Sequence, residues 1–394
     1  MKKKLSIMLA VIVALSMLSG CSKPATAPNE SNESSGDAIK VGVNYELTGQ
    51  VATYGVNLND GVQLAFEEIN ADGGALGKKF DVVTVDNKSE DTEAANLSAK
   101  LATKDKVVAL LGPATSGNTK AASPAAMQNK IPLISGSATA DDVTVDANGK
   151  VRDYIFKTCF SDSFQGVMMA EFALNDLEAK TTAILADSTS DYAQGLSKAF
   201  KETVEANGAS VLNEEAYVEG DNDFKAVLTN LKALNPDVLF VPGYYEEVGL
   251  IVRQARELGF NVPILGADGY ESPKLTEIAG AENLNDVYYS SHYSSKDTAE
   301  RVVKFNEAFK DKYGKEPDAF NALGYDLAYF LRDALERAGE VNSEKLKEAL
   351  EATDGFEGVT GVLAIDENHN PVKSVTVIQM LDGVPTFLKK LDPK

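Results

Sequence analysis

Ile39-Lys40-Val41-Gly42-Val43, then Asn57-Leu58-Asn59-Asp60-Gly61-Val62-Gln63-Leu64-Ala65-Phe66-Glu67-Glu68-Ile69, then Phe80-Asp81-Val82-Val83-Thr84-Val85 read as strand, helix and strand. The outer runs are short, apolar and rich in valine. The middle one brings back Val62, Ala65, Phe66 and Ile69 at spacings of three and four, which places them on one helical face. Gly73-Gly74 ends the helix. A strand, a helix and a second strand of this kind form the unit from which parallel sheets are built.

The same alternation continues outward. Glu93–Ala102 reads as a helix, Val107–Leu111 as a strand, Thr119–Asn129 as a helix and Ile131–Ile134 as a strand. A second series begins near Ser163, with strands Thr182–Leu185, Ser210–Asn213, Val238–Val241 and Pro263–Leu265. Helices Gln194–Ala206, Phe224–Leu234 and Val248–Leu258 lie between those strands. After a strand at Val287–Ser290 come helices Ala299–Lys312, Ala322–Ala338 and Lys345–Ala352, then strands Val362–Ile365, Ser374–Met380 and Thr386–Leu388. The expected class is α/β, with two doubly wound parallel-sheet lobes and a ligand cleft between them, at the carboxyl ends of the strands. Neither series is complete without the late elements, so the chain should cross between lobes more than once. The expected division is 38–158 with about 291–375 for lobe one, and 159–290 with about 376–394 for lobe two.

Ahead of this body stand Met1-Lys2-Lys3-Lys4, an apolar run from Leu5 to Leu18, and Leu18-Ser19-Gly20-Cys21. A basic start, a short apolar run and small residues make an export signal over 1–20. The run falls short of the roughly 20 apolar residues a membrane span needs. Leu-Ser-Gly-Cys resembles the bacterial lipobox, whose cysteine is diacylated and becomes the mature N-terminus; the plainer alternative is a secretory leader with a stray Cys21. Ser22–Gly36 has no large apolar residue, so 21–37 is expected to be a flexible tether.

The formal charge of −21 repels phosphate backbones, and no basic aromatic stretch offsets it, so nucleic acid is excluded as a partner. Beyond Cys21 the one cysteine is Cys159, in the apolar run Tyr154–Phe160, where burial is expected in place of reactivity. Only two histidines occur, His292 and His369, and Glu367-Asn368-His369-Asn370-Pro371 reads as a solvent-exposed turn. No HExxH, CxxC, GxxxxGK[ST] or GxSxG pattern is present. Neither an enzyme nor a bound metal or cofactor is expected.

Gly55-Val56-Asn57-Leu58-Asn59-Asp60-Gly61-Val62-Gln63-Leu64-Ala65-Phe66-Glu67-Glu68-Ile69-Asn70-Ala71-Asp72-Gly73-Gly74-Ala75-Leu76-Gly77-Lys78 resembles the first-helix signature of the leucine/isoleucine/valine-binding proteins. Leu111-Gly112-Pro113, Asn129-Lys130-Ile131-Pro132-Leu133-Ile134-Ser135 and Gln254-Ala255-Arg256-Glu257-Leu258-Gly259 match in the same order. The resemblance covers nearly the whole body. It implies a type I periplasmic-binding fold with three crossovers, a small amino-acid ligand and a permease of an ABC importer as partner. A monomer is expected, held by the lipobox lipid on Cys21 to the extracytoplasmic face of the cell membrane.

An α-amino acid presents a carboxylate and an ammonium, and both need partners once a cleft closes. Gly112–Thr119 and Ser135–Thr139 each end a strand and can offer hydroxyl and N–H donors, the first at a helix start. By position, Ser116, Ser137 through its backbone with neighbouring Ala138, and Thr139 resemble the family's carboxylate binders. Helix capping is the alternative for Ser116 and Thr139. Asp268 falls where the family places its ammonium-binding acid, the alternative being a solvated loop residue or a cap. Tyr192 and Tyr244 match aromatics covering the ligand, and Tyr54 and Phe320 match residues lining the side-chain pocket, core packing being the alternative for Phe320. Tyr45, Glu46 and Leu47 border that pocket, where Glu46 would favour a polar or cationic ligand. The competing function is the same fold taking an amide, urea or an aromatic or carboxylic acid, or serving as a ligand-sensing subunit.

Cys21→Ala should abolish lipid attachment. Metabolic labelling with a fatty acid checks it, and label retained on the variant would show that Cys21 is not the acceptor.

Overall fold

The computed structural model describes residues 38–391. The leader over 1–20, the lipobox Cys21, the tether over 21–37 and residues 392–394 lie outside the described residues.

The first run of elements is β1 (Ile39–Tyr45), α1 (Ala52–Ala71), β2 (Phe80–Asp86), α2 (Asp91–Lys100), β3 (Ala109–Leu111), α3 (Ser116–Asn129), β4 (Leu133–Ser135) and β5 (Ile155–Lys157). The second is α4 (Asp162–Asn175), β6 (Thr181–Asp187), α5 (Asp191–Ala206), β7 (Ser210–Tyr217), α6 (Lys225–Ala233), β8 (Val238–Phe240), α7 (Tyr245–Glu257), β9 (Ile264–Gly266), α8 (Pro273–Ala279) and β10 (Val287–Ser291). Then follow α9 (Glu300–Tyr313), α10 (Ala319–Ala338), α11 (Ser343–Glu351), β11 (Phe356–Gly358), β12 (Gly361–Ile365), β13 (Pro371–Val372), β14 (Val375–Leu381) and β15 (Val384–Leu391).

The first sheet runs β2-β1-β3-β4-β5, every pair parallel. The second runs β15-β14-β10-β9-β8-β6-β7. Central strands such as β3, β4, β8 and β9 are buried along their whole length, as strands covered on both faces must be. The second sheet departs from the all-parallel expectation. β14 is antiparallel to β10 and β15 to β14. For the β14–β15 pair the reason is local: Asp382 (φ 49°) and Gly383 (φ 78°) both adopt left-handed backbone, the geometry of a two-residue hairpin turn, and a chain reversed so tightly pairs antiparallel. α4 and α8 are additional to the helices read from the sequence.

The chain passes between the two sheets three times: after β5, after β10 and before β14. His369, expected in an exposed turn, is only 4% exposed. Its ring stacks on Phe156 with centroids 4.1 Å apart, and Nδ1 lies 3.0 Å from the Ile155 carbonyl oxygen. The turn is real, but it folds down over the end of β5.

α1 crosses α10 in backbone contact. A Cβ on Gly61 would stand 2.0 Å from the Asn321 carbonyl oxygen, and one on Gly324 2.1 Å from that of Leu58. Helix propensity alone favours alanine over glycine by roughly 1 kcal/mol. The packing predicts the reverse, since neither helix can yield without moving its backbone. Gly61→Ala should lower stability by about 1–3 kcal/mol, read as a lower urea midpoint. An unchanged or higher midpoint would show that the two backbones are not in contact.

Candidate functional site

Two loops leave the carboxyl ends of β3 and β4, and a buried acid shapes the first. Glu46, just after β1, is 0% exposed. Its carboxylate accepts the Ala114 N–H (3.0 Å), the Thr115 N–H and hydroxyl (both 3.1 Å) and the Asn118 Nδ2 (2.8 Å). The expectation that Glu46 favours a polar or cationic ligand is overturned. Its charge is consumed inside the wall, and Glu46 is not among the cavity-lining residues. Thr115 is the N-cap of α3, which makes Ser116 the first helical residue and not the cap. Ser116 Oγ accepts the Ala140 N–H at 3.1 Å, tying the two loops together. In the second loop Ser135 donates to the Pro113 carbonyl (2.7 Å) and Ser137 to that of Ala114 (2.7 Å). Buried Lys157 donates to the carbonyls of Thr139 (3.0 Å) and Ala140 (3.1 Å), fixing the loop from below.

The opposite wall rises from the second sheet. Asp268 follows β9 and opens a single helical turn, Asp268–Tyr270. It is 4% exposed, which removes the solvated-loop alternative. Oδ1 accepts the Tyr192 hydroxyl (2.9 Å) and the Gln165 amide (3.1 Å), while Oδ2 faces His292 Nε2 at 3.1 Å. The Tyr192 hydroxyl also accepts the Gly269 N–H at 2.8 Å, and its ring stacks on Tyr244 at 5.1 Å. Nearby Asp162 is fully buried and neither oxygen has a hydrogen bond of normal geometry. Burial pushes its pKa well up, the Thr139 hydroxyl opposes this, and the charges of Asp141 and Asp268 add to the rise.

The walls meet around one small cavity. It is lined by Tyr54, Ala114, Thr115, Ser116, Ser137, Thr139 and Phe320 from the first-sheet side, and by Tyr192, Tyr244, Asp268 and Gly269 from the second. Of the ligand-binding candidates read from the sequence, Ala138 alone is absent from this lining: it is buried, and its N–H is spent on Ser135 Oγ at 3.0 Å; Tyr45, Glu46 and Leu47, expected to border the pocket, do not line it either. The cavity measures about 10 Å³, room for a single water molecule. Tyr54 bridges the walls, donating to the Gly269 carbonyl at 2.5 Å and accepting the Tyr245 N–H at 3.3 Å, with its ring stacked on Phe320 at 4.5 Å. Gln50 to Glu247 (2.6 Å) and Lys120 to Asp191 (2.6 Å) span the rim. A roomier furrow of about 960 Å³ runs beside α5, but charged side chains such as Lys198, Lys201, Glu202 and Glu205 wall it.

Residues 38–384 match the family model described as periplasmic binding protein. The chain belongs to the periplasmic binding protein family. Among solved structures, it is 40% identical to the Streptococcus pneumoniae branched-chain amino acid transporter substrate-binding protein LivJ in complex with isoleucine, over 90% of this chain and 100% of that one, with a TM-score of 0.85. It is 38% identical to a leucine-binding protein, LivK, from Thermotoga maritima, over 90% of this chain and 99% of that one, again with a TM-score of 0.85. Among curated relatives, it is 30% identical to the leucine-, isoleucine-, valine-, threonine- and alanine-binding protein of Pseudomonas aeruginosa, over 84% of this chain and 86% of that one.

Members of this family bind solutes, and the groups gathered here suit binding. Cys159 is buried, and burial raises its thiol to about 12, far from a nucleophile's range. Among the described residues no group of three His, Cys, Asp or Glu side chains is placed to hold a metal ion. No described helix is long and apolar enough to cross a membrane. The sequence reading missed Gln165, His292, Lys157 and Asp162; the first three act through partners outside their own elements, Asp162 is set apart by its burial, and no local pattern marks any of them.

Because Glu46 shapes a wall and does not face a ligand, Glu46→Gln should cost stability without changing ligand class. The amide nitrogen, placed at the Oε2 position, would face the Ala114 N–H, and the other three donors would meet a neutral oxygen in place of a carboxylate, at a cost of about 1–3 kcal/mol. Urea unfolding measures that cost. A ligand screen that moved toward anions in the variant would return Glu46 to the pocket.

Proposed function

We propose that this chain is the extracytoplasmic solute-binding component of an ABC importer, taking a branched-chain or related small amino acid between its two sheets and handing it to a permease. The observation that carries the reading is the layout of charge across the cavity. Asp268 stands on one wall; the start of α3, with Ser116 and Thr139, stands on the other. An α-amino acid carries its two charges on one carbon, and both must be met when water leaves. The Asp268 carboxylate holds three donors. Two carboxylate oxygens offer about four acceptor positions, so one is left for an ammonium. Ser116 Oγ already accepts a hydrogen bond, which makes its hydroxyl hydrogen available to a ligand carboxylate at the positive end of α3. The stacked Tyr54 and Phe320 rings supply an apolar wall for an aliphatic side chain. The solutes named for the relatives, isoleucine in one complex and five small amino acids in another's name, fit such a pocket.

In this reading the two halves are lobes, 38–158 with about 291–375 and 159–290 with about 376–394, that part to admit the ligand and close on it by hinge motion. A cavity of about 10 Å³ cannot take an amino acid otherwise. The protein works as a monomer, without a cofactor, held to the membrane through a lipid on Cys21, and it releases its ligand unchanged.

The first test is a thermal-shift screen of the protein against leucine, isoleucine and valine beside amides, urea and aromatic acids. A ligand binding only the folded state at 100 times its Kd adds about 2.7 kcal/mol. Stabilisation by an amide or aromatic acid, with none by amino acids, would overturn the ligand class. Asp268→Asn should then weaken the best amino acid on the order of a hundredfold, since stranding one member of a buried pair costs about 3–5 kcal/mol. Calorimetry reads the loss. A change under about threefold would mean that no ammonium meets Asp268.

A further inference from the structure

His292 does not line the cavity, yet it holds the residue on which the ligand's charge depends. Its Nε2 lies 3.1 Å from Asp268 Oδ2, with the two side chains 1% and 6% exposed. The ring is clamped by a stack on Phe160, centroids 3.6 Å apart and planes 16° from parallel. His292 begins the second passage of the chain between the sheets and Phe160 belongs to the first, so the histidine is fixed by backbone that joins the halves. A carboxylate has no hydrogen to give, so Nε2 carries the proton. Nδ1 has no partner among the described residues.

We propose that His292 is a positioning residue: its Nε2–H aims the Asp268 carboxylate at the ligand's ammonium and so sets the preference for α-amino acids over the matching acids that lack the amine. This rests on the amino-acid reading of the site. Three observations support it. Oδ1 is held by two donors, Tyr192 and Gln165, whereas Oδ2 has only His292 and therefore retains acceptor capacity. Gln165 is itself fixed, accepting the Ser290 hydroxyl at 2.6 Å and the Asp268 N–H at 3.3 Å, so Oδ1 is anchored, and among the described residues His292 is the one side chain that sets the position of Oδ2 directly. The imidazole is also neutral. Burial lowers its pKa to about 4, Asp268 pulls the other way and Lys373 adds to the lowering. A neutral donor orients the carboxylate while leaving its charge for the ammonium; an imidazolium would cancel that charge.

The test compares two probes on the full-length protein: L-leucine and its 2-hydroxy analogue, which replaces the ammonium with a hydroxyl. Calorimetry on His292→Leu should show the L-leucine affinity falling tenfold or more, while the hydroxy acid stays within about threefold of wild type. His292→Gln, whose amide N–H can reach the same oxygen, should recover most of the L-leucine affinity. Equal losses for both probes, or no loss for either, would overturn the positioning role. Nitrogen-15 spectra of the wild-type imidazole give a reading that does not depend on a variant folding. At neutral pH they should show an uncharged ring protonated at Nε2; a charged ring or an Nδ1–H tautomer overturns the inference. Wild-type protein that binds no L-leucine brings down the amino-acid reading and this inference with it. Wild type that binds while His292→Leu binds equally well overturns the inference alone.

Discussion

A carboxylate taken out of water must be met by donors, and two such carboxylates organise the walls of this cleft. Glu46 receives four, from the backbone and side chains of the loop before α3 and the helix's first turn. None of these donors comes from across the cavity and Glu46 does not line it, so its effect is to hold that loop where Ser116 faces inward. Asp268 receives three. It lines the cavity, is held firmly and is still able to take a further donor. The difference between the two is which of them faces the cavity. Asp162 is the third case: buried with no hydrogen bond to either oxygen among the described residues, it has its pKa pushed well up by burial.

The contacts that join the walls are few and individually weak. The Lys120–Asp191 pair is partly exposed, at 23% and 45% of its side chains, and such pairs contribute about 0–1 kcal/mol. The buried bond from Tyr54 to the Gly269 carbonyl contributes about 1 kcal/mol net. Its removal would cost more than it supplies, because the carbonyl would stay buried and unpaired. Contacts of this size hold the walls together without locking them, and a gap of a few kcal/mol between arrangements leaves the minor one measurably populated. In the proposed reading, a ligand touching Asp268 on one side and Ser116 on the other would supply the differential energy that selects a closed arrangement.

The alternation of strand and helix was legible because buried parallel strands are continuous apolar runs, and Ala109–Leu111 or Val238–Phe240 can hardly read otherwise. The hairpin of β14 and β15 was equally written in Asp382-Gly383, a turn signal between apolar runs, and it passed unread. α4 was hidden for a different reason. Met168, Met169, Phe172 and Ala173 are buried around much of its circumference, so one-sided periodicity is lost. Among the site residues, Ser116, Thr139 and Asp268 sit at strand ends, where the topology alone draws attention. Glu46 looked like a pocket residue because its donors lie 68 to 72 positions away. His369 looked exposed because the carbonyl that receives it is 214 positions away. Sequence shows which groups are polar; the fold decides which of them have already found partners.

The same separation by distance explains why the passages between the sheets carry so many buried polar groups. His292 on the second passage holds Asp268 and stacks on Phe160 of the first. Lys373 on the third donates to Thr360 Oγ1 at 2.6 Å, and that hydroxyl donates to Asp326 of α10 at 2.7 Å. Burial pushes Lys373 down to about 8 while Asp326 pulls it up, which leaves the ammonium dependent on its neighbours. α10 in turn carries Phe320 of the cavity and meets the backbone of α1, which carries Tyr54. The second and third passages are therefore each pinned to an element that presents a cavity residue or borders one, and the first stacks on the second. A strand connection made only of apolar side chains could slide when the halves move. One pinned by directional bonds keeps its ends fixed, so the hinge motion proposed for the two halves would fall to the few backbone torsions between the pins, with the cavity residues on each side moving as sets.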